Sequence, residues 1–394
     1  MCNRNMRFDE RWTRRDFLSA AAIGVVGLTG VRTSRKTAAE RLAYVGTYTT
    51  DGRSEGIYRL LVDTTSGAMR LDGVAAKSAN PSYLALNPNG RVLYAVNELS
   101  EFRGEQAGGV SAFSVERASG RLSLINQESS HGRAPCYVSV DRTGRFVFVA
   151  NYVGGSVTAI PVRRDGGLAT PRTVVRHEGS SINPTRQTSP HAHCILPDPS
   201  NRYVLAVDLG TDAIITYRLD QRTGAITIVT PGAATKPGAG PRHLTFHPNG
   251  RFAYVVNELD STLAVFTYDA ERGALNEVQV TAASPGGTAA SNHPADVHVA
   301  ASGRFLYSSN RGDDSIAVFA IDSATGQVTP VQQVPTGGQA PRNFSLDPTG
   351  RFLLAANQRS DVIVSFRVDG DSGRLTPTGS TVAVPVPVCI RFRR

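Results

Sequence analysis

Cysteine, long apolar runs and clusters of like charge are what this sequence has least of. Its 394 residues include four cysteines, Cys2, Cys136, Cys194 and Cys389, and no two of them form a CxxC pair. This spacing excludes a disulfide framework and predicts small, buried thiols. No apolar run reaches the roughly 18 residues that a membrane span requires, so we expect no stable membrane insertion after processing.

Positive charge is in excess but not concentrated. The formal net charge is +9, and residues 1–40 alone hold eight positive and four negative side chains. The remaining excess is spread along the chain without a basic run. Because nucleic-acid binding requires basic side chains clustered on one face, the sequence predicts no nucleic-acid partner.

The N-terminal segment has the organisation of an export signal. Arg14 and Arg15 precede Phe17-Leu18, and the modest apolar stretch 19–31 follows. A charged start and a short apolar stretch are typical of secretory signals, and the paired arginines resemble a twin-arginine signal. We expect residues 1–40 to be a signal peptide and linker for the twin-arginine (Tat) export machinery, and the protein to be periplasmic or secreted. A chance Arg-Arg pair in a disordered tail is the alternative.

One sequence motif recurs along the rest of the chain. NPNGRVLYAVN at 87–97 returns as DRTGRFVFVAN at 141–151, and further copies lie at 198–208, 247–257, 300–310 and 347–357. The period of about 50 residues fits a propeller blade or a solenoid. In each repeat a Gly turn precedes a β-branched and aromatic strand, and turns then separate further short strands. This pattern predicts blades of four antiparallel strands.

The two ends of the repeat region complement each other. Residues 42–77 supply three strands without a leading one, and residues 386–392 supply one spare strand. Three N-terminal strands plus one C-terminal strand would complete a seventh blade and close the ring, which protects the sheet edges. The prediction is an all-β, seven-bladed β-propeller over residues 41–394.

Strand direction then locates the side chains at one mouth of the channel. The first strand of a blade lines the axis and the second runs antiparallel to it, so the start of one and the end of the other lie at the same face. The residues at these places are Tyr83 with Glu98, Tyr137 with Tyr152, His191 and His193 with Asp208, Arg242 and His243 with Glu258, Asp296 and His298 with Arg311, and Arg342 with Gln358. So many ionisable groups on one face predict a functional site.

These residue types suit the hydrolysis of a lactone. A His or Glu can take the proton of an attacking water, and arginines can stabilise the developing oxyanion and bind an anionic ring. We predict Glu258, His191, His193 and Arg242 as catalytic residues. The predicted substrate-binding residues are Arg311, Arg342, His243, Asp296, His298, Gln358 and Glu98. His191 and His193, two apart on one strand, leave zinc open, but no wider ligand spacing supports it, and we expect no metal or cofactor.

The same stretches resemble the lactonase family of seven-bladed propellers over residues 42–392. The most specific pieces are GPRHLTFHP at 240–248 leading to Glu258, ADVH at 295–298 leading to Arg311, QAPR at 339–342 leading to Gln358, and SPHAH at 189–193. The resemblance implies a lactonase like the propeller-type 6-phosphogluconolactonases. By resemblance to the carboxy-muconate lactonising relatives, His191 or His193, Arg242, Glu258 and one of Arg311 or Arg342 would carry the chemistry.

Three functions therefore follow as hypotheses. The first is hydrolysis of a sugar lactone to its open-chain acid, with the lactone or sugar acid as the small-molecule partner. The second is a lactonising cycloisomerase that acts on an unsaturated dicarboxylate, and the third is a non-catalytic extracellular binding propeller. The export signal argues against a phosphorylated substrate, because a sugar phosphate is not expected outside the cytoplasm.

Overall fold

The fold is a closed ring of seven four-stranded antiparallel sheets. The computed structural model describes residues 40–287 and 291–393. The predicted export signal lies outside the described residues except for Glu40, which begins the first strand. In the part of the chain that is described, no helix is long and apolar enough to cross a membrane.

Twenty-eight strands make the seven blades. Blade 1 pairs its strands in the order β28 (Pro387–Phe392), β1 (Glu40–Thr47), β2 (Gly56–Asp63) and β3 (Met69–Lys77). The other blades follow the chain. Blade 2 holds β4 (Leu84–Leu86), β5 (Val92–Asn97), β6 (Gly109–Val115) and β7 (Leu122–Ser129), and blade 3 holds β8 (Pro135–Val140), β9 (Phe146–Asn151), β10 (Ser156–Pro161) and β11 (Thr173–Arg176).

The remaining four blades repeat this arrangement. Blade 4 is β12 (Ala192–Pro197), β13 (Tyr203–Asp208), β14 (Ala213–Leu219) and β15 (Ile226–Ala234). Blade 5 is β16 (Pro241–Phe246), β17 (Phe252–Asn257), β18 (Thr262–Asp269) and β19 (Ala274–Ala282). Blade 6 is β20 (His293–Val299), β21 (Phe305–Arg311), β22 (Ser315–Ile321) and β23 (Val328–Pro335), and blade 7 is β24 (Pro341–Leu346), β25 (Phe352–Asn357), β26 (Val362–Val368) and β27 (Leu375–Ala383).

Ring closure occurs as the sequence predicts. The C-terminal strand β28 is the inner strand of blade 1 and pairs with β1 from Ala43 opposite Phe392 to Thr47 opposite Pro387. It also contacts the inner strands β4 and β24 of the neighbouring blades. The last strand of the chain therefore completes the sheet of the first blade and packs beside the inner strand of the seventh, which closes the ring.

The core lies between the blades. The second strands β5, β9, β13, β17 and β25 are buried at every residue, because each blade packs both faces against a neighbour. Tyrosines of the second strands β1, β5 and β17 also bridge neighbouring blades. The hydroxyls of Tyr44, Tyr94 and Tyr254 donate to the carbonyls of Gly120, Gly166 and Gly326 in the next blade, over 2.7–3.0 Å. The recurring aromatic position of the repeat is thus what joins one blade to the next.

Candidate active site

A β-bulge at the start of the inner strand recurs in six blades. The register skips Cys136 in β8, His193 in β12, Arg242 in β16, Arg342 in β24 and Val388 in β28, while β20 skips both Ala295 and Asp296. A bulge leaves the extra residue unpaired and re-aims its side chain. Five of these residues lie together at the channel mouth, namely Cys136, His193, Arg242, Arg342 and Val388. The bulges are therefore the backbone feature that builds the site.

The bulged residues line a polar pocket at the predicted mouth. The main cavity has a volume of about 310 Å³. It is lined by Glu98, Cys136, Tyr152, Arg186, His193, Glu258, His293, Arg311 and Arg342. A smaller cavity that shares Glu98, Cys136, His193 and Arg342 extends inward to Tyr83, Arg242 and His243. We call these two cavities together the polar pocket.

Glu258 is the anion on which the arginines of the pocket converge. Its Oε1 accepts from Arg186 Nη2 at 2.8 Å, and its Oε2 accepts from Arg242 Nε at 3.0 Å and from Arg311 Nη2 at 2.7 Å. Burial alone would raise the pKa of this carboxyl, but the charges of Arg311 and Arg242 hold it well below its usual range. Glu258 is therefore ionised, and its lone pairs are occupied by guanidinium groups.

A chain of hydrogen bonds through His243 to Asp296 holds the side chain of Arg242 in place. His243 Nδ1 donates to Asp296 Oδ1 at 2.8 Å, and His243 Nε2 accepts from Arg242 Nη1 at 3.2 Å. Burial, helped by the charge of Arg242, lowers the pKa of His243 to about 3, so its ring is neutral. Because Arg can only donate, the proton of His243 must lie on Nδ1. Arg242, almost fully buried at 1% exposure, is held in one orientation as a result.

His193 reaches the pocket as a neutral imidazole. It is 4% exposed, and burial together with the charge of Arg242 lowers its pKa well below the ordinary value. Its Nδ1 lies 3.7 Å from the Sγ of Cys136, which leaves Nε2 for the pocket. Burial also raises the pKa of the Cys136 thiol, which is therefore protonated at neutral pH.

Arg342 is the cation of the pocket that is not bound by a carboxylate. Its guanidinium lies 5.6 Å from the ring centre of Tyr48, and no ion pair or hydrogen bond holds its side chain within the described residues. The nearby Glu98 accepts from the Tyr48 hydroxyl at 2.9 Å and from the Ser82 hydroxyl. Arg342 can therefore bind an incoming anion without first breaking an ion pair or a hydrogen bond.

Aromatic side chains close the inner end of the polar pocket. The rings of Tyr83 and Tyr137 stack at 4.1 Å, and each meets the ring of His243 nearly edge-on. Tyr83 borders the smaller cavity on one side and a separate pocket at the opposite channel mouth on the other. Tyr83 therefore lies between the two cavities.

Other predicted residues lie further from the pocket. The ring of His191 stacks on Tyr152 at 4.6 Å, and its Nδ1 donates to the Tyr152 carbonyl. His298 donates to Asp296 from a half-exposed position next to Phe344. Gln358 donates its backbone N–H to Ala340 and is not among the residues that line the polar pocket. Asp296 does not line the polar pocket and is linked to Arg242 through His243.

The two predicted histidines are not equivalent strand residues. β12 begins at Ala192, so His191 precedes the strand, while His193 is the residue that the register of β12 skips. Both rings contact Tyr152, at 4.6 Å for His191 and 5.4 Å for His193, but of the two it is His193 that lines the polar pocket. Among residues 40–287 and 291–393, no group of three or more His, Cys, Asp or Glu is arranged to hold a metal ion.

Five residues that line the polar pocket were not predicted from the sequence, namely Ser82, Cys136, Arg186, His293 and Val388, and neither was Tyr48, which lies against Arg342. Arg186 lies in the long connection between β11 and β12, which ends at the same mouth because the fourth strand of a blade runs towards it. Tyr48 follows the second strand of blade 1, so the strand-end rule applied to that blade would have named it. Cys136 and His293 lie at the start of inner strands, but in the sequence neither a single cysteine nor a further histidine indicates a site.

The arrangement can bind anions and activate a water. Four guanidinium groups (Arg186, Arg242, Arg311 and Arg342) face two carboxylates (Glu98 and Glu258), which leaves an excess of positive charge. Positive groups in a partly dehydrated pocket stabilise negative charge that develops on a substrate. A neutral imidazole beside them is a group that can accept a proton.

Comparisons with known proteins agree on one family. The family described as "Lactonase, 7-bladed beta-propeller" matches residues 42–392. A 6-phosphogluconolactonase of Bacillus subtilis is 41% identical over 351 residues, which cover 89% of this chain and 98% of the relative. The periplasmic gluconolactonase of Pseudomonas aeruginosa, whose structure is solved, is 38% identical; the match covers 90% of this chain and 99% of that one, with a TM-score of 0.83. The protein belongs to the lactonase family of seven-bladed β-propellers.

Proposed function

We propose that this protein hydrolyses a sugar lactone to its open-chain acid in the polar pocket, and that it does so outside the cytoplasm. The observation that carries the proposal is that one pocket holds a neutral imidazole, His193, together with a guanidinium, Arg342, that forms no ion pair within the described residues. Family membership supports the reaction class. Two similar proteins are named for the opening of gluconolactones, one with and one without the phosphate group.

The residues fit the steps of the reaction. A water attacks the lactone carbonyl carbon while His193 Nε2 takes its proton, and the carbonyl oxygen becomes an oxyanion beside Arg342. The bond between the carbonyl carbon and the ring oxygen then breaks, and the proton on His193 passes to the departing ring oxygen. The product is a hydroxy acid, whose carboxylate the arginines can bind before release. Glu258, whose oxygens accept from three guanidiniums, positions the arginines and is a poorer base than His193.

The test of this function is turnover of glucono-δ-lactone and of its 6-phosphate, followed as acid release at constant pH. We expect the purified protein to accelerate the opening of the unphosphorylated lactone. Arg342→Met should lower kcat/KM about 10²–10³-fold, because it removes a charge that stabilises the transition state. Arg359→Met, which removes an exposed arginine of the same blade, should leave the rate unchanged. Failure to open either lactone, or an unaltered rate for Arg342→Met, would refute the proposal.

The pH dependence tests the role of His193 separately. An imidazole acts as a base only when neutral, and an ordinary histidine loses that form as the pH falls through about 6.5. Since the pKa of His193 is lowered well below this value, we expect kcat/KM to stay constant from pH 7 down past pH 6. The measurement is kcat/KM as a function of pH at constant ionic strength. A loss of activity centred near pH 6.5 would contradict it.

The extracytoplasmic location rests on the paired arginines of the N-terminal segment. The Pseudomonas relative is named as periplasmic, which supports a similar location here. We expect the double substitution Arg14→Lys and Arg15→Lys to leave the protein in the cytoplasmic fraction, because the export machinery recognises the pair. Arg4→Lys with Arg7→Lys keeps the same charge and serves as the control. Equal export of both variants would exclude the twin-arginine route.

A further inference from the structure

A second pocket opens at the channel mouth opposite the polar pocket. Its volume is about 690 Å³. It is bounded by the turns that join the inner strand to the second strand in blades 2 and 3, which lie at the far end of those strands. Tyr83 and Tyr137 form part of its wall, so the stacked tyrosines separate it from the arginines of the polar pocket. We call it the opposite-mouth pocket.

Arg391 is the charged group at the wall of this pocket. It is half-buried in β28, where its Nε donates to the carbonyl of Leu84 at 3.2 Å and its Nη1 donates to its neighbour Ile390 at 2.9 Å. Its guanidinium lies 4.5 Å from the ring centre of Tyr83. Within the described residues no carboxylate forms an ion pair with it. The charge of Asp296 acts on Arg391 without a direct ion pair between them. A partly dehydrated cation that no anion contacts is unfavourable, and a bound carboxylate would supply that contact.

The acidic residue of the pocket does not compensate Arg391. The carboxylate of Asp141 accepts from the backbone N–H groups of Thr143, Arg145 and Phe146 and from the amide of Asn201, over 2.6–3.1 Å. Its lone pairs are therefore used to hold the turn. The second cation of the pocket, Arg142, is exposed and adds positive charge at the rim.

The rest of the wall is about as polar as it is apolar. Its apolar part includes Leu86, Leu196 and Phe392 together with the rings of the two tyrosines. We propose that the opposite-mouth pocket binds a small organic monoanion, a carboxylate on an apolar ring, which pairs with Arg391 and packs on this wall. A guanidinium matches a planar carboxylate with two parallel hydrogen bonds, and aromatic rings favour a flat apolar partner. The proposal does not depend on lactone hydrolysis.

Binding of benzoate to the purified full-length protein, measured by calorimetry, tests the proposal. Benzamide has the same shape without the charge and should bind about tenfold more weakly or not at all, because a charge-assisted bond is lost. Arg391→Met should weaken benzoate binding about tenfold or more. Arg342→Met, which alters the polar pocket, should leave the benzoate binding that depends on Arg391 unchanged and so distinguishes the two mouths.

A second pair of variants covers the case in which Arg391→Met does not fold. Ala85 is half-buried and lines the pocket, so Ala85→Glu should place a carboxylate beside Arg391 and abolish benzoate binding. Ala85→Gln has the same size without the charge and should keep more of the binding. Equal binding of benzoate and benzamide, or loss of benzoate binding in Arg342→Met but not in Arg391→Met or Ala85→Glu, would overturn the proposal. So would a wild-type protein that binds no benzoate at millimolar concentration.

Discussion

Glu258→Gln is expected to lower kcat/KM for lactone opening about 100-fold or more, because it displaces the arginines that surround the substrate. The glutamine side chain has the shape of the glutamate but no charge, and its NH₂ group would face a guanidinium donor. Arg186, Arg242 and Arg311 would then repel each other without their common anion. A displacement of about 1 Å in a catalytic group is enough for an effect of this size.

The same substitution should also destabilise the protein. Removing one partner of a buried ion pair typically costs about 3–5 kcal/mol, since the remaining charge is left uncompensated. Glu277→Gln, an exposed position on β19 of the same blade, is the matched control and should change neither the melting temperature nor the rate. The measurements are thermal unfolding and kcat/KM on all variants.

A double substitution separates charge repulsion from a simple loss of packing. Arg186 is the most exposed of the three arginines, with 37% of its side chain accessible. If repulsion is the cause, Arg186→Gln should raise the melting temperature of the Glu258→Gln protein while it lowers that of the wild type. A Glu258→Gln protein with full activity, or one that Arg186→Gln destabilises further, would contradict the role assigned to Glu258.

Truncation after Val384 is expected to abolish cooperative folding. It removes β28, and with it the inner strand of blade 1 and the buried side chains Val388, Ile390 and Phe392. Burial of three such side chains contributes about 5–9 kcal/mol, which is comparable with the whole net stability of a typical domain. The truncation also exposes the edge of β1, and an unpaired edge invites aggregation.

A circular permutant is the informative control for this truncation. Arg393 N donates to the carbonyl of Leu42 at 2.8 Å, so the end of β28 lies beside the start of β1. Joining residue 393 to Glu40 through a short linker and opening the chain between β3 and β4 keeps all four strands of blade 1. We expect this permutant, made without the N-terminal segment, to unfold cooperatively and to elute as a compact species in size-exclusion chromatography. A truncated chain that melts like the wild type would show that closure by β28 is not required.

The repeat predicted most of the fold because each blade is a local unit. A strand at 251–257 and the next at 263–268 are predicted by alternation, β-branched residues and Gly turns within a few positions of each other. Counting the copies and the unpaired strands at both ends then predicted the ring and its closure. Both predictions are confirmed by the order of the strands in blade 1.

The site was predicted only in part, and the misses have physical causes. Glu98, His193, Arg242, Glu258, Arg311 and Arg342 were found from strand direction alone, and the structure brings them together. Arg186 was missed because it lies in a connection rather than at a strand end. The roles of these residues stay predictions until they are tested by substitution.

What the sequence determined by itself is the architecture and the face on which the ionisable groups gather, since both follow from local periodicity and chain direction. Only the tertiary structure decided which of these groups meet. The bulges at His193 and Arg242 break the two-residue alternation on which sequence reasoning depends. The ionisation of Glu258, the neutral state of His193 and the unpaired state of Arg342 depend on neighbours from other blades. Such contacts join residues far apart in the chain, so no local pattern records them.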